Sequence, residues 1–262
     1  MTVAPTPLDR RPFIRSTVHL EAVDSTNDLA RSLVVDDAHP LPLLVRANVQ
    51  HRGRGRGDRT WWSDSGSLTF SVAIDSEAQG LRVDHEPRVA LATALAIAEV
   101  VDRLVPSTQR VGIRWPNDVE VDDRKVAGIL PERVDTPLGP RLVIGVGLNL
   151  ATRLDDAPAE VRAMATSLAV LRDPTSTLVE PEAVLEAILA RLDEALKALA
   201  GDDPALVERW ARLDTLAGRP VRVALGTEIL AGTAAGIDLS GALLVQVDGR
   251  HVTLHGGRVL RP

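Results

Sequence analysis

Val89 to Leu104 reads VALATALAIAEVVDRL, a run of helical length that is hydrophobic on nearly every side. A helix with no polar face must be buried, and the sequence around it says against what. Upstream, the β-branched and apolar stretch Thr17 to Val23 predicts a strand. Asp24, Ser25 and Thr26 are good caps for a helix from Asn27 to Val35. Leu43 to Val49 and Ser67 to Ile74 predict strands flanking a glycine-rich loop. Downstream, Val111 to Trp115, Val119 to Val121, Lys125 to Leu130 and Leu142 to Val146 are short apolar runs separated by turns, which predicts a mostly antiparallel meander. The fold class is therefore α+β with a mixed sheet. Leu185, Ile188, Leu189, Leu192, Leu196 and Leu199 then repeat at helical spacing up to Gly201, predicting a long amphipathic helix on the sheet. Past Trp210 the texture changes to short strands, Val221 to Leu225, Ile229 to Ala235, Ala242 to Val247 and His251 to Leu254, with Gly226, Gly236, Gly241 and Gly249 between them. That pattern predicts a small closing β-barrel.

Composition narrows the function. The 262 residues are 45% hydrophobic and 25% charged, a globular balance. With no cysteine there can be no disulfide, thiolate nucleophile or thiolate zinc site. The net charge of -6 argues against a bulk nucleic-acid or membrane binder, so an anion site must be local. No apolar run is long enough for a bilayer span, and the opening MTVAPTPLDRRPF lacks a signal-peptide core. A cytoplasmic location is expected. Of 30 basic residues only Lys125 and Lys197 are lysine. Where arginine is otherwise used throughout, a lysine marks a place where a compact point charge was needed.

Four segments could carry chemistry. His51 to Arg59, with Arg52, Arg54, Arg56 and Arg59 against Asp58, concentrates positive charge among alternating glycines. Glycines let backbone amides approach an anion and guanidinium forks chelate its oxygens; a flexible basic loop or an RNA-binding segment reads the same way. The run contains neither a P-loop nor a dinucleotide-binding turn. Arg114, Trp115, Pro116, Asn117 and Asp118, followed by Lys125 to Gly128, read as a plain hairpin or as a polar site around a rare lysine. Gly145, Val146, Gly147, Leu148 and Asn149 could seat a planar group or form a bulge. Asp24 to Asp28 is a helix start able to hold a polar head group, though capping alone also explains it.

The ordered set resembles the biotin protein ligase family: Ser25-Thr26-Asn27, Gln50 with Gly53-Arg54-Gly55-Arg56, Trp115-Pro116-Asn117-Asp118 with Lys125-Val126-Ala127-Gly128-Ile129-Leu130, and Gly145-Val146-Gly147-Leu148-Asn149. The resemblance implies a catalytic domain like that of class II aminoacyl-tRNA synthetases over 17–214, behind a tail over 1–16. An SH3-like barrel over 215–262 would follow. About 16 residues precede the first strand, so a short form without the DNA-binding winged helix is expected.

The resemblance also implies an activity. Biotin is joined to ATP as biotinyl-5′-AMP and then transferred to a lysine of a biotin carboxyl carrier protein or domain. Ser25, Thr26, Asn27 and Gln50 would hold the ureido ring, with Trp61 and Gly128 along the rest of biotin. Arg54, Gly55 and Arg56 would close over the carboxylate and phosphates, and Lys125 would touch the reacting centre. Arg59, Arg114, Asn117, Asp118 and Asn149 would serve the nucleotide, with Asp118 also steering Mg²⁺. ATP is a substrate, no prosthetic group is implied, and neither nucleic acid nor membrane is an expected partner. Two positions depart from the family: Asp58 stands where glycine is usual, and Arg114 where lysine is usual. A lipoate-type acyl ligase and an RNA-binding module using the Arg/Gly loop are the alternatives.

Overall fold

Ser16–Val23 (β1) leads into Thr26–Leu33 (α1), whose start is set by Ser25: its backbone is extended and its Oγ accepts from Asp28 N at 3.4 Å. The structure, a computed structural model, describes residues 13–172 and 180–261. Because α1 carries the chain back across the sheet, β1 pairs in parallel with Leu43–Gln50 (β2). Ser67–Asp75 (β3) is antiparallel to β2. After Glu86–Val101 (α2) come Val111–Arg114 (β4), Asp118–Val121 (β5), Arg124–Thr136 (β6) and Gly139–Asn149 (β7). The meander is antiparallel, and β7 inserts beside β3 to give a seven-stranded sheet ordered β1-β2-β3-β7-β6-β5-β4.

Side-chain alternation gives the two faces of this sheet different covers. Leu44, Phe70, Val72, Ile144 and Val146 point to the α2 side. Leu43, Val45, Ala73 and Val143 point to the α1 side, where they pack on Ala30 and Val34. Each such Val, Leu, Ile or Phe side chain, fully buried, contributes about 1.5–3 kcal/mol. Pro181–Ala200 (α5) differs from the sequence expectation, since it packs chiefly along α2 and reaches the sheet through a Glu182–Arg46 ion pair. The reason is that α2 is apolar all round, so its outer side needs a cover of its own. Phe13, expected in the tail, is buried in the main core with Ile14, and Ser16 already opens β1; residues 1–12 of the expected tail lie outside the described residues.

Three short helices were not anticipated. Ala159–Met164 (α3) and Leu168–Leu171 (α4) follow β7, and Pro204–Leu213 (α6) follows α5. Asp203 caps α6 by accepting from Ala205 N at 2.9 Å, and Leu206 and Trp210, one turn apart, are its buried residues. Pro220–Leu225 (β8), Glu228–Ile237 (β9), Leu243–Val247 (β10), Arg250–Leu254 (β11) and Arg258–Val259 (β12) form an antiparallel sheet ordered β11-β10-β9-β8-β12. Asp248 and Gly249, both at positive φ, make the two-residue turn from β10 to β11. This sheet is not packed apart: Val221, Val223, Ala234, Leu243, Val245 and Leu254 belong to the same apolar cluster as α2 and Trp210. Among the described residues no helix is long and apolar enough to cross a membrane.

Candidate active site

Strand register builds the floor of the site. Arg114 pairs with Asp118, Asp118 with Gly128, Gly128 with Gly147, and Gly147 with Thr69, forming one row across four antiparallel pairings. Side chains of directly paired residues share a face, so this row lies on the same face as α1. The next row, Leu130, Gly145 and Ser71, runs beneath α1. Three glycines in these two rows leave the backbone bare, and two side chains fill the space. A Cβ on Gly145 would collide with the Asn27 amide, and one on Gly147 with the Trp61 indole. The planar group that the glycines admit is the chain's own tryptophan.

At the α1 end, buried polar groups form a connected chain. Gln50 Oε1 accepts from Thr26 N at 2.8 Å and from Thr26 Oγ1 at 3.1 Å. Ser71 Oγ lies 2.8 Å from Thr26 Oγ1 and 2.6 Å from Asn27 Oδ1. Asn27 Nδ2 donates to Leu130 O at 3.1 Å and to Glu132 Oε2 at 2.8 Å. Ser25, Thr26 and Asn27 are all buried. Burying so many polar groups is tolerable because they satisfy one another.

The glycine-rich loop is a small hairpin. Arg54 and Thr60 form an antiparallel bridge, Gly55 N donates to Arg59 O at 2.8 Å, and Trp61 N donates to Gly53 O at 2.7 Å. Gly57 takes φ +63 at the tip, and Asp58 beside it is exposed without left-handed backbone, so this departure from glycine strains nothing. The hairpin separates its arginines. Arg54 ion-pairs with Asp28 and Glu132, and Arg52 lies 3.8 Å from Asp24. Arg56 instead turns to the β4–β5 hairpin and donates to Asn117 Oδ1 at 3.3 Å. Burial, and then the neighbouring Arg59, push the Arg56 pKa down, while Asp118 opposes them. Burial works against Arg54 too, but hydrogen bonds to Glu132 and Asp28 outweigh it and raise its pKa.

Lys125 Nζ stands 2.7 Å from Asp118 Oδ1 and 5.5 Å from the centre of the Trp61 ring. Arg114 is held from outside the sheet, donating to Leu260 O at 3.2 Å. Burial lowers its pKa against the pull of Glu120. Asn149, two residues beyond Gly147 on the same face of β7, donates its Nδ2 to Thr166 O at 3.0 Å, and Thr166 N in turn donates to Lys125 O at 2.9 Å. The structure thus brings together Arg56, Asn117, Asp118, Lys125, Gly128 and Trp61, with the polar cluster of residues 25–27 and Gln50 beside them. Arg54 sits among carboxylates, and Asn149 braces the segment at Thr166 that bonds the Lys125 backbone. Among the described residues, no three histidine or acidic groups converge as a metal cage.

Comparison with known proteins fits this layout. The model of the Biotin/lipoate A/B protein ligase family matches residues 20–149, and that of the Biotin protein ligase C terminal domain matches residues 217–261. The biotin--[acetyl-CoA-carboxylase] ligase of Paracoccus denitrificans is 31% identical over 243 residues, spanning 87% of this chain and 92% of that protein. The chain belongs to the biotin protein ligase family. The bifunctional ligase/repressor BirA of Escherichia coli (strain K12) is 30% identical over 254 residues, 93% of this chain and 73% of that protein. The biotin protein ligase of Aquifex aeolicus, solved with biotin and ATP, superposes with a TM-score of 0.78 over 94% of this chain and 98% of that one. At 23% identity this last likeness is one of fold. The stretch matched to the biotin/lipoate ligase model contains α1, the Arg/Gly hairpin, Lys125 and the glycine floor; the biotin protein ligase C-terminal match covers the second sheet.

Several residues of the site escaped the sequence. Ser71 and Glu132 sit in strands whose local pattern marks them only as polar. Glu120, fully buried, ion-pairs with Arg261 from the last strand's end and lies 3.4 Å from Thr215 Oγ1. Burial raises its pKa, with Arg261 and Arg114 opposing. A glutamate in the short run Val119 to Val121 between hydrophobic neighbours was the available signal, since a charge is buried only with a partner.

Proposed function

We propose that this chain carries out ATP-dependent biotinylation with the residues just described, taking a lysine of a biotin carboxyl carrier protein or domain as acceptor. The observation that carries this reading is the adjacency of two unlike halves: a buried hydrogen-bonding cluster at Thr26, Asn27 and Gln50, and a cationic group at Arg56, Lys125 and Arg114. A small polar ring fits the first and an acid with nucleotide phosphates fits the second. The apolar Trp61 between them suits an acyl chain.

In the first step a carboxylate oxygen of biotin attacks the α-phosphorus of ATP, and pyrophosphate leaves. Two anions must meet, so fixed cations supply most of the stabilisation. Arg54, Gly55 and Arg56 would serve this purpose from the hairpin, Lys125 from the floor, and Arg59, Arg114, Asn117 and Asn149 around the nucleotide. Asp118 is the site carboxylate that would help hold Mg²⁺, through the oxygen that Lys125 does not take, with phosphate and water as the remaining ligands. Bound there, Mg²⁺ would neutralise phosphate charge. In the second step the acceptor amine attacks the acyl carbon and AMP leaves. Ser25, Thr26, Asn27 and Gln50 would hold the ureido ring throughout, with Trp61 and Gly128 along the acyl chain. In fold terms the seven-stranded part is assigned to the class II aminoacyl-tRNA synthetase-like type and the C-terminal sheet to the SH3-like type. The hydrogen-bonding cluster favours a ureido ring over the apolar dithiolane of a lipoyl group, which would bring no N–H to the spare lone pair of Asn27 Oδ1.

The test is incubation with biotin, ATP, Mg²⁺ and a biotin carboxyl carrier domain, followed by intact mass. Gain of one biotinyl group on the carrier is expected. No gain with biotin, together with transfer from lipoate and ATP, would overturn the reading.

A further inference from the structure

We infer that Glu132 is a positioning residue that sets the polarity of Asn27 and latches the Arg54 hairpin, using one carboxylate oxygen for each task. The inference rests on the proposed biotin reading only for what the polarity selects. Glu132 pairs with Val143 in register and so lies on the α1 face, one row beyond Gly145. Its Oε2 accepts from Asn27 Nδ2 at 2.8 Å, and its Oε1 takes Arg54 and, at 3.6 Å, Arg31.

The chemistry of Asn27 leaves one orientation. Its amide meets two acceptors on one side, Leu130 O and Glu132 Oε2, neither of which can donate. The NH₂ group must therefore face them, with both its hydrogens used. Oδ1 then turns to Ser71 Oγ, 2.6 Å away, and over bare Gly145. The one hydrogen-bonding capacity Asn27 retains is an Oδ1 lone pair, so a ligand must bring an N–H to it and not a carbonyl. Without Glu132 the amide loses one of its two reasons not to flip.

The second oxygen works on the loop. Arg54 is the hairpin residue tied back to the body of the protein by two carboxylates, Glu132 and Asp28, and only Glu132 stands on the sheet. The carboxylate thus couples closure of the hairpin to the orientation of the ring-binding amide. Charge-assisted bonds of this kind are about twice as strong as neutral ones.

Glu132→Gln and Glu132→Ala separate the two tasks. In Gln the amide oxygen can still accept from Asn27, but the charge that holds Arg54 is gone. We expect a biotin KM within about threefold of wild type for Gln and raised about tenfold or more for Ala. Tryptic nicking after Arg54 in the ligand-free protein should speed up severalfold in both. A KM raised equally by Gln and Ala, or unmoved by Ala, would overturn the polarity assignment; unchanged nicking in Gln would overturn the latch. Should Ala fail to fold, the near-isosteric Gln still decides through its KM and its nicking rate. Wild-type protein that makes no biotinyl adenylate would fell the biotin reading instead, while the nicking comparison would still decide the latch.

Discussion

The ammonium of Lys125 lies 2.7 Å from Asp118 Oδ1, at a point where a Cβ added to Gly128 would come within 3.0 Å of it. The ammonium is boxed in by a carboxylate, a bare strand and the face of Trp61. Lysine is otherwise almost absent from this arginine-rich chain, so both composition and space argue that a planar guanidinium does not fit here. Lys125→Arg is therefore expected to be almost as damaging as Lys125→Ala, each losing on the order of a hundredfold or more in the adenylation rate. Wild-type-like adenylation by the arginine variant would refute this.

Gly145→Ala and Gly147→Ala should damage different halves of the site. The first puts a methyl where the Asn27 amide lies and the second where the Trp61 indole lies. Each is overpacking that costs about 1–3 kcal/mol if the fold persists. Biotin titration should show the larger loss of affinity for Gly145→Ala, and tryptophan emission should shift for Gly147→Ala, whose indole Nε1 is buried without a partner in the native site.

Arg261→Ala should destabilise the protein in a pH-dependent way. It leaves the fully buried Glu120 without its ion-pair partner, a loss on the order of 3 kcal/mol at neutral pH. Burial already holds the Glu120 pKa above its ordinary value, with Arg261 and Arg114 opposing. A carboxyl raised in this way favours the fold below its unfolded pKa, and that contribution is lost as pH rises through the folded one. The variant's deficit should therefore shrink on acidification through the folded pKa of Glu120, and Glu120→Gln added to Arg261→Ala should restore much of it at pH 7. Thermal melts across pH measure both effects.

Truncation before Leu216 should cost far more than loss of an appendage. Leu216, Val221, Val223, Leu243 and Val245 belong to the main apolar cluster, and Trp115 Nε1 donates to Gly241 O at 3.0 Å. Buried side chains at about 1.5–3 kcal/mol each add up to a sum comparable with the whole net stability of about 5–15 kcal/mol. A truncated protein melting as cooperatively and as high as the intact one would contradict the shared core.

The hairpin should respond to ligand. Trypsin can cut after Arg52, Arg54, Arg56 and Arg59, and only Arg54 is tied to both α1 and the sheet. Biotin is expected to slow cutting partly, biotin with MgATP much more, and ATP alone little, because the adenylate offers Arg56 a phosphate and Trp61 an apolar chain. Equal digestion with and without biotin plus MgATP would remove the hairpin from the active site.

Local signals in the sequence were strong where structure is local. Ser25 as a cap, the all-round apolar α2 and the glycine turns of the last strands announce themselves within a few residues, because capping, periodicity and turn chemistry act over that distance. Helix α6 is legible in principle from Asp203-Pro204 followed by Leu206 and Trp210, but two buried side chains one turn apart are too few to establish a helical period. The rare lysine and the clustered arginines pointed to Lys125 and to the hairpin, since composition exposes a residue that departs from the chain's own habit.

By itself, the sequence determined the longer helices, most of the strands, their order and the set of motifs that marks the family. The tertiary structure alone decided who faces whom. Asn27 meets Glu132 across 105 residues, and Arg261 meets Glu120 across 141. The Trp61 indole finds Gly147 only because β7 inserts beside β3. The places of Glu132 and Gly147 follow from sheet register, which a slip of a single residue would turn to the other face, whereas Arg261 reaches Glu120 because the second sheet shares the main core. Register is set by the packing of both faces at once, so no window of sequence contains it.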